Sequence, residues 1–100
     1  MATHLHTCAE ERPLDDEVTA AFLEAQAAGA DAIVVVFPAG AKLTRELVPV
    51  IASLSRDAPA LTAIALVHES PTLSFIASSL ALQLPGVRVR SAATVETAGL

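Results

Sequence analysis

Two kinds of apolar pattern alternate along the chain. "DAIVVVF" (residues 31–37) and "LTAIALVHE" (61–69) are short runs whose apolar residues do not alternate with polar ones. Runs of this kind predict strands covered on both faces, as in a parallel sheet. Other segments repeat with the helical period. In "DDEVTAAFLEAQAAGAD", Val18, Ala21, Phe22 and Ala25 fall at i, i+3, i+4 and i+7. Asp15 is placed to cap this helix, and Asp16 and Glu17 lie where the helix dipole favours negative charge. Gly29 stands just past its end, where glycine commonly terminates helices.

"LTRELVPVIASLSRD" repeats Leu43, Leu47, Ile51 and Leu54, and Val50 widens the stripe. Pro49 is a misfit in the second turn of such a helix. It predicts either a start near Val48 or a kink. "SPTLSFIASSLALQL" predicts a third helix with Ser70 as cap, Pro71 at its first position, and a core stripe of Leu73, Ile76, Ala77, Leu80 and Leu84. Phe75 and Leu82 fall on a different side. A helix that is apolar beyond one stripe is deeply buried or meets another chain, so these two are candidate interface residues. "THLHTC" and "GVRVRS" alternate, predicting a short N-terminal strand and a strand near a sheet edge with Val inward and Arg outward. A last short helix is predicted from Ala92 to the C-terminus, with Ser91 as its cap.

The order (β)αβαβαβα predicts an α/β fold: a small, mostly parallel sheet of about four strands with alternating helices and right-handed crossovers. One hundred residues make one domain, 1–100. The apolar fraction of 53% and charged fraction of 17% depart from the usual values of about 45–50% and 25%. A small domain with that balance exposes apolar side chains, which points to a partner or to self-association.

A net charge of −5 and the lack of Trp and Tyr argue against nucleic-acid binding. Arg88 and Arg90 are read as a solvated strand face. The single cysteine, Cys8, can form no internal disulfide. No signal-type segment is visible, and no apolar run approaches the roughly 20 residues of a membrane span. The expectation is a cytoplasmic protein without a membrane role.

Candidate chemistry is sparse. Gly40, Lys42 and Thr44 lie between a strand and a helix, where backbone N–H groups attract anions. The phosphate-cradling pattern G-x-x-x-x-G-K-[ST] is absent, and Thr44 is read as a helix cap. His68, Glu69 and Ser70 occupy the next strand-to-helix turn and form a second candidate ligand or partner turn. His4, His6 and Cys8 point to one side of a strand, and all three residue types bind zinc. His68 is available as a fourth ligand, but no second ligand pair has a recognisable spacing. Solvent-facing histidines on an edge strand are the simpler reading, and no metal or cofactor is assigned. No nucleophile–base pair or G-x-S-x-G elbow is present. Asp31 begins its strand, the wrong end for an open α/β site.

In "LDDEVTAAFLEAQAAGADAIVVVF", "LTAIALVHESPTLSFIASSLALQLPGVRVRS" and "AATVETAGL", the chain resembles the STAS domains of sulfate transporters and anti-sigma-factor antagonists. The resemblance spans roughly residues 14–100. It implies a non-enzymatic regulatory module that binds protein partners, such as a regulatory kinase or sigma-factor regulator, or itself as a homo-oligomer. Phosphorylatable members carry an Asp-Ser pair in the turn that matches "FPAGAKLT", where Thr44 is the only hydroxyl. Part of the family's N-terminal hairpin and its terminal tryptophan are also missing. The resemblance therefore implies an interaction module without the usual phospho-switch. A small-molecule or anion-binding module at the turns is the alternative, and a metal-dependent enzyme on His4, His6 and Cys8 ranks last.

Overall fold

The computed structural model describes residues 2–96. Its elements are β1 (Thr3–Thr7), α1 (Leu14–Ala27), β2 (Ala32–Val36), α2 (Leu47–Arg56), β3 (Ala63–Val67), α3 (Thr72–Gln83) and β4 (Arg88–Ala92). The four strands form one all-parallel sheet in the order β1-β2-β3-β4. The predicted α/β architecture is therefore present. β4 extends through Ala92, so no helix begins there. Residues 93–95 are bend and turn, and the last part of the predicted C-terminal helix, residues 97–100, lies outside the described residues.

The strand order decides where the three helices lie. Each crossover steps to the adjacent strand in the same direction, which sends every helix to the same face of the sheet. Ile33, Val35, Ile64 and Leu66 of β2 and β3 pack in one core with Val18, Phe22, Ile51, Leu73, Ile76 and Leu80 of the helices. The alternate residues Val34, Ala65 and Val67 form a smaller cluster with Val36 and Ala92, which among the described residues includes none from α1, α2 or α3. β2 and β3 are apolar on both faces; among the described residues α1, α2 and α3 cover one face, and Val34, Ala65 and Val67 on the other are also buried.

Register places like against like. Ile33 pairs with Ile64, Val35 with Leu66, and Ile64 with Val89. At the edges the pattern changes: Arg88 and Arg90 of β4 are exposed while Val89 packs against the core.

The helix ends show which local signals held. α1 starts at Leu14 with no side-chain cap, so Asp15 lies inside the first turn and contributes charge near the dipole. Its C-terminus closes as expected at Gly29, whose φ of 69° is left-handed. The N–H of Gly29 bonds to the carbonyl of Gln26, and that of Ala30 to the carbonyl of Ala25, the two bonds of a Schellman motif. α2 starts at Leu47, which puts Pro49 in the first turn, where its missing N–H would have no intrahelical partner. The kink is thus unnecessary. Thr44 does not cap α2 with its side chain; its carbonyl accepts from the Leu47 N–H at 3.2 Å. At α3, Pro71 already has helical dihedrals, and Ser70 Oγ accepts from the Thr72 N–H at 3.3 Å.

Asp31 has a structural task at the amino ends of the strands. Its carboxylate accepts from the Ala2 N–H at 3.0 Å, and its carbonyl accepts from the Thr62 N–H at 2.8 Å. It thereby ties together the starts of β1, β2 and β3.

Two substitutions test this account. Nothing lies within 4 Å of a Cβ built on Gly29, so Gly29→Ala should cost only backbone strain, about 1–2 kcal/mol in a denaturant titration. Ser55 is buried in α2, and its hydroxyl has no partner among the described residues. Ser55→Ala should be neutral or stabilising by up to about 1 kcal/mol, and a clear loss would show that the hydroxyl is bonded.

Candidate functional site

Among the described residues Leu5, Leu23 and Val95 are exposed singly, and three places stand out by clustered chemistry or by paired exposed apolar side chains. The first is the carboxyl end of the sheet, where open α/β folds usually hold ligands. A cleft of about 510 Å³ is lined there by Glu10, Arg12, Leu14, Pro38, Gly40, Ala41 and Lys42. A smaller one of about 210 Å³ is lined by Val36, Phe37, Ala39, Val67, His68, Glu69 and Ala93. The two candidate turns therefore do not converge: Gly40 and Lys42 line one cleft, while His68 and Glu69 line the other. Thr44 is exposed and lines neither.

His68 holds the two turns in place. Its Nε2–H donates to the Pro38 carbonyl at 2.9 Å, and its Nδ1 accepts from the Ser70 N–H at 3.0 Å. Both ring nitrogens are thus engaged, the first fixing the β2–α2 turn and the second the start of α3. This use removes His68 as a fourth metal ligand beside His4, His6 and Cys8.

The second place is the seam between β1 and α1. His4 and His6 point toward the helix layer and are half-buried, contrary to a solvent-facing pair. Their partners come from one side of α1. Glu24 Oε1 lies 3.2 Å from His4 Nε2 and 3.1 Å from His6 Nδ1. An ionised carboxylate only accepts, so the proton in each of these bonds belongs to the ring. Glu17 is only 4% exposed. Its Oε1 accepts from the Ala9 N–H and stands 3.5 Å from His6 Nε2, while its Oε2 lies 3.5 Å from an Arg12 guanidinium nitrogen. Cys8 is buried against the same group, and the donor atoms of His6, Cys8 and Glu17 all lie within 4.8 Å of one another.

This geometry shifts three groups. Burial first, and the Glu17 charge second, push the Cys8 thiol up to about 11. The Ala9 N–H, with the charges of Arg12 and His6, holds Glu17 below the ordinary glutamate value despite its burial. Hydrogen bonds from His6 and then His4 do the same for Glu24. Sequence periodicity assigns Glu17 only a dipole role and gives Glu24 none. The missing signal is one of matched spacing. His4 to Cys8 spans about 13 Å of strand, and Glu17 to Glu24 spans about 10 Å of a helix running the other way.

The third place is the outer side of α3. Phe75 is 51% exposed and Leu82 86%, one above the other at i and i+7. Between them lie Ser78 and Ser79, and α3 contains no charged residue. No family model, curated protein or solved structure matches the chain. Among the described residues no helix is long and apolar enough to cross a membrane.

The carboxylates predict an acid response. A group held below its unfolded value contributes fully above that value, and the contribution is lost as pH falls through the folded value. Stability should therefore decline below roughly pH 4.5, near the unfolded glutamate range. Glu17→Gln should flatten part of that decline in urea titrations across the acid range. A variant as acid-sensitive as the parent would place the effect elsewhere.

Proposed function

We propose that the protein is a non-enzymatic interaction module that self-associates through the outer side of α3, with a second copy as the occupant. The carrying observation is the uncharged helix with exposed Phe75 and Leu82. Two copies of an acidic chain, each with net charge −5, repel wherever their charged surfaces meet. An uncharged helix is where that repulsion is least. Two α3 helices related by a two-fold axis set Phe75 and Leu82 of one copy beside Leu82 and Phe75 of the other, over the small Ser78 and Ser79. Such self-complementarity is the requirement of a closed dimer.

Magnitudes favour a reversible pair. Phe75 is already half buried, so burying the rest of these four side chains contributes on the order of 4–8 kcal/mol. Association costs about 4–15 kcal/mol in lost freedom. The two ranges overlap, which describes a dimer that forms and dissociates with concentration. The STAS resemblance supports the same class of function, with a regulatory protein as the partner, in the cytoplasm.

A small-anion site at the turns has one observation in its favour, the cleft containing Arg12 and Lys42. Glu10 lines the same cleft, and Arg12 is drawn toward Glu17. Both weaken its attraction for an anion.

Sedimentation velocity over a range of concentrations tests the dimer. The parent chain should shift toward twice the monomer mass as concentration rises. Phe75→Ser with Leu82→Glu should stay monomeric and melt at an unchanged or higher temperature, because both residues are exposed. A parent chain that remains monomeric at millimolar concentration defeats the self-association.

A further inference from the structure

The fold and the α3 surface leave the cluster between β1 and α1 unexplained. It is a poor choice for stability alone. His6 Nε2 is buried and makes no hydrogen bond. Its other ring nitrogen donates to Glu24, and Nε2 stands 3.5 Å from the Glu17 carboxylate. A positive charge between the two belongs there, either the proton of a charged ring or a metal ion that takes its place.

We propose that His6 Nε2, Cys8 Sγ and Glu17 Oε1 form a binding site for a divalent cation of the zinc class. The donor set selects the metal: thiolate, imidazole and carboxylate together suit zinc or cobalt better than magnesium or calcium, which prefer oxygen. Charge also balances, since a thiolate and a carboxylate neutralise a doubly charged ion. Donor atoms around one tetrahedral zinc stand roughly 3.3–3.7 Å apart. The present spread, within 4.8 Å, closes to that by side-chain rotation of about 1 Å.

Glu24 supplies what histidine ligands commonly have, a carboxylate behind the ring that fixes its tautomer and orientation. His4 bonds to the same oxygen and holds Glu24 in turn. Glu24 and His4 are thus positioning residues and not ligands. Arg12 opposes a cation, but it touches the other Glu17 oxygen and its side chain is more than half exposed, free to turn away. Three protein donors leave a fourth position for water.

Binding requires a proton to leave. The Cys8 S–H bond breaks as the sulfur–metal bond forms, and the proton passes to solvent. With the thiol pushed up to about 11, Cys8 stays protonated at neutral pH until a metal arrives.

Cobalt(II) titration of the untagged, reduced full chain tests the site. Cys8 is the only cysteine, so a near-ultraviolet thiolate-to-cobalt band reports this sulfur alone. The expected result is one equivalent bound, displacement by zinc, and a higher melting temperature with zinc. Cys8→Ala should remove the band, and Glu24→Gln should keep it while weakening affinity about 10–100-fold. Absence of the band in the parent chain overturns the site whatever the variants do. So does metal affinity unchanged in Cys8→Ala, which would put the ion on the His4 and Glu24 pair.

Discussion

The contact between the middle of the sheet and the three helices governs the rest of the molecule. Ile33, Val35, Ile64 and Leu66 are fully buried in it. Burial of four such side chains contributes on the order of 6–12 kcal/mol, comparable with the whole net stability of a typical domain. The contact forms only if β2 and β3 are neighbours in the observed register, because a slip by one residue would turn these side chains to the opposite face. Consecutive strand order follows from short helical crossovers, and one-sided helices follow from consecutive order. β1 and β4 are then edges by necessity.

Each edge is treated differently. At β4 the outward positions are Arg88 and Arg90, charged side chains that discourage another strand from pairing there. At β1 the inward positions are His4 and His6, and the helix opposite supplies carboxylates instead of apolar groups. Apolar residues at these four positions would pack without any hydrogen-bonding demand. A polar cluster at a core margin costs desolvation that an apolar one does not. Its presence is therefore better explained by a task than by stability.

Much of the fold was legible because the relevant signals are local. Val18, Ala21, Phe22 and Ala25 face the core as their spacing predicts, and Gly29 ends α1 with the motif its position predicts. The core stripe of α3 likewise follows from period alone. What the chain did not disclose depends on distant partners. Val34, Ala65 and Val67 are buried as their run predicts, but a run without polar residues cannot say which face meets α1, α2 and α3. The start of α2 was ambiguous because Pro49 fits a first turn as well as it breaks a second. His68 looked like a ligand because its two backbone partners, Pro38 and Ser70, come from separate turns. Glu17 and Glu24 went unrecognised because a glutamate in a helix ordinarily faces solvent, and only the adjacent strand makes these two into partners.

The sheet also keeps the two proposed activities apart. α1 packs against β1 and β2, while α3 packs against β3 and β4. The histidine–cysteine–glutamate cluster and the Phe75–Leu82 surface thus sit toward opposite edges, with α2 between their helices. Any coupling between them would have to cross the buried middle of the sheet, whose dense packing resists small displacements. A cation bound at β1 would stabilise the fold by fastening α1 to its edge strand, and that gain adds to the folded state whether or not a second copy is docked. If both proposals hold, the four-strand core carries a metal-fastened edge on one side and an uncharged docking helix on the other, each independent of the other.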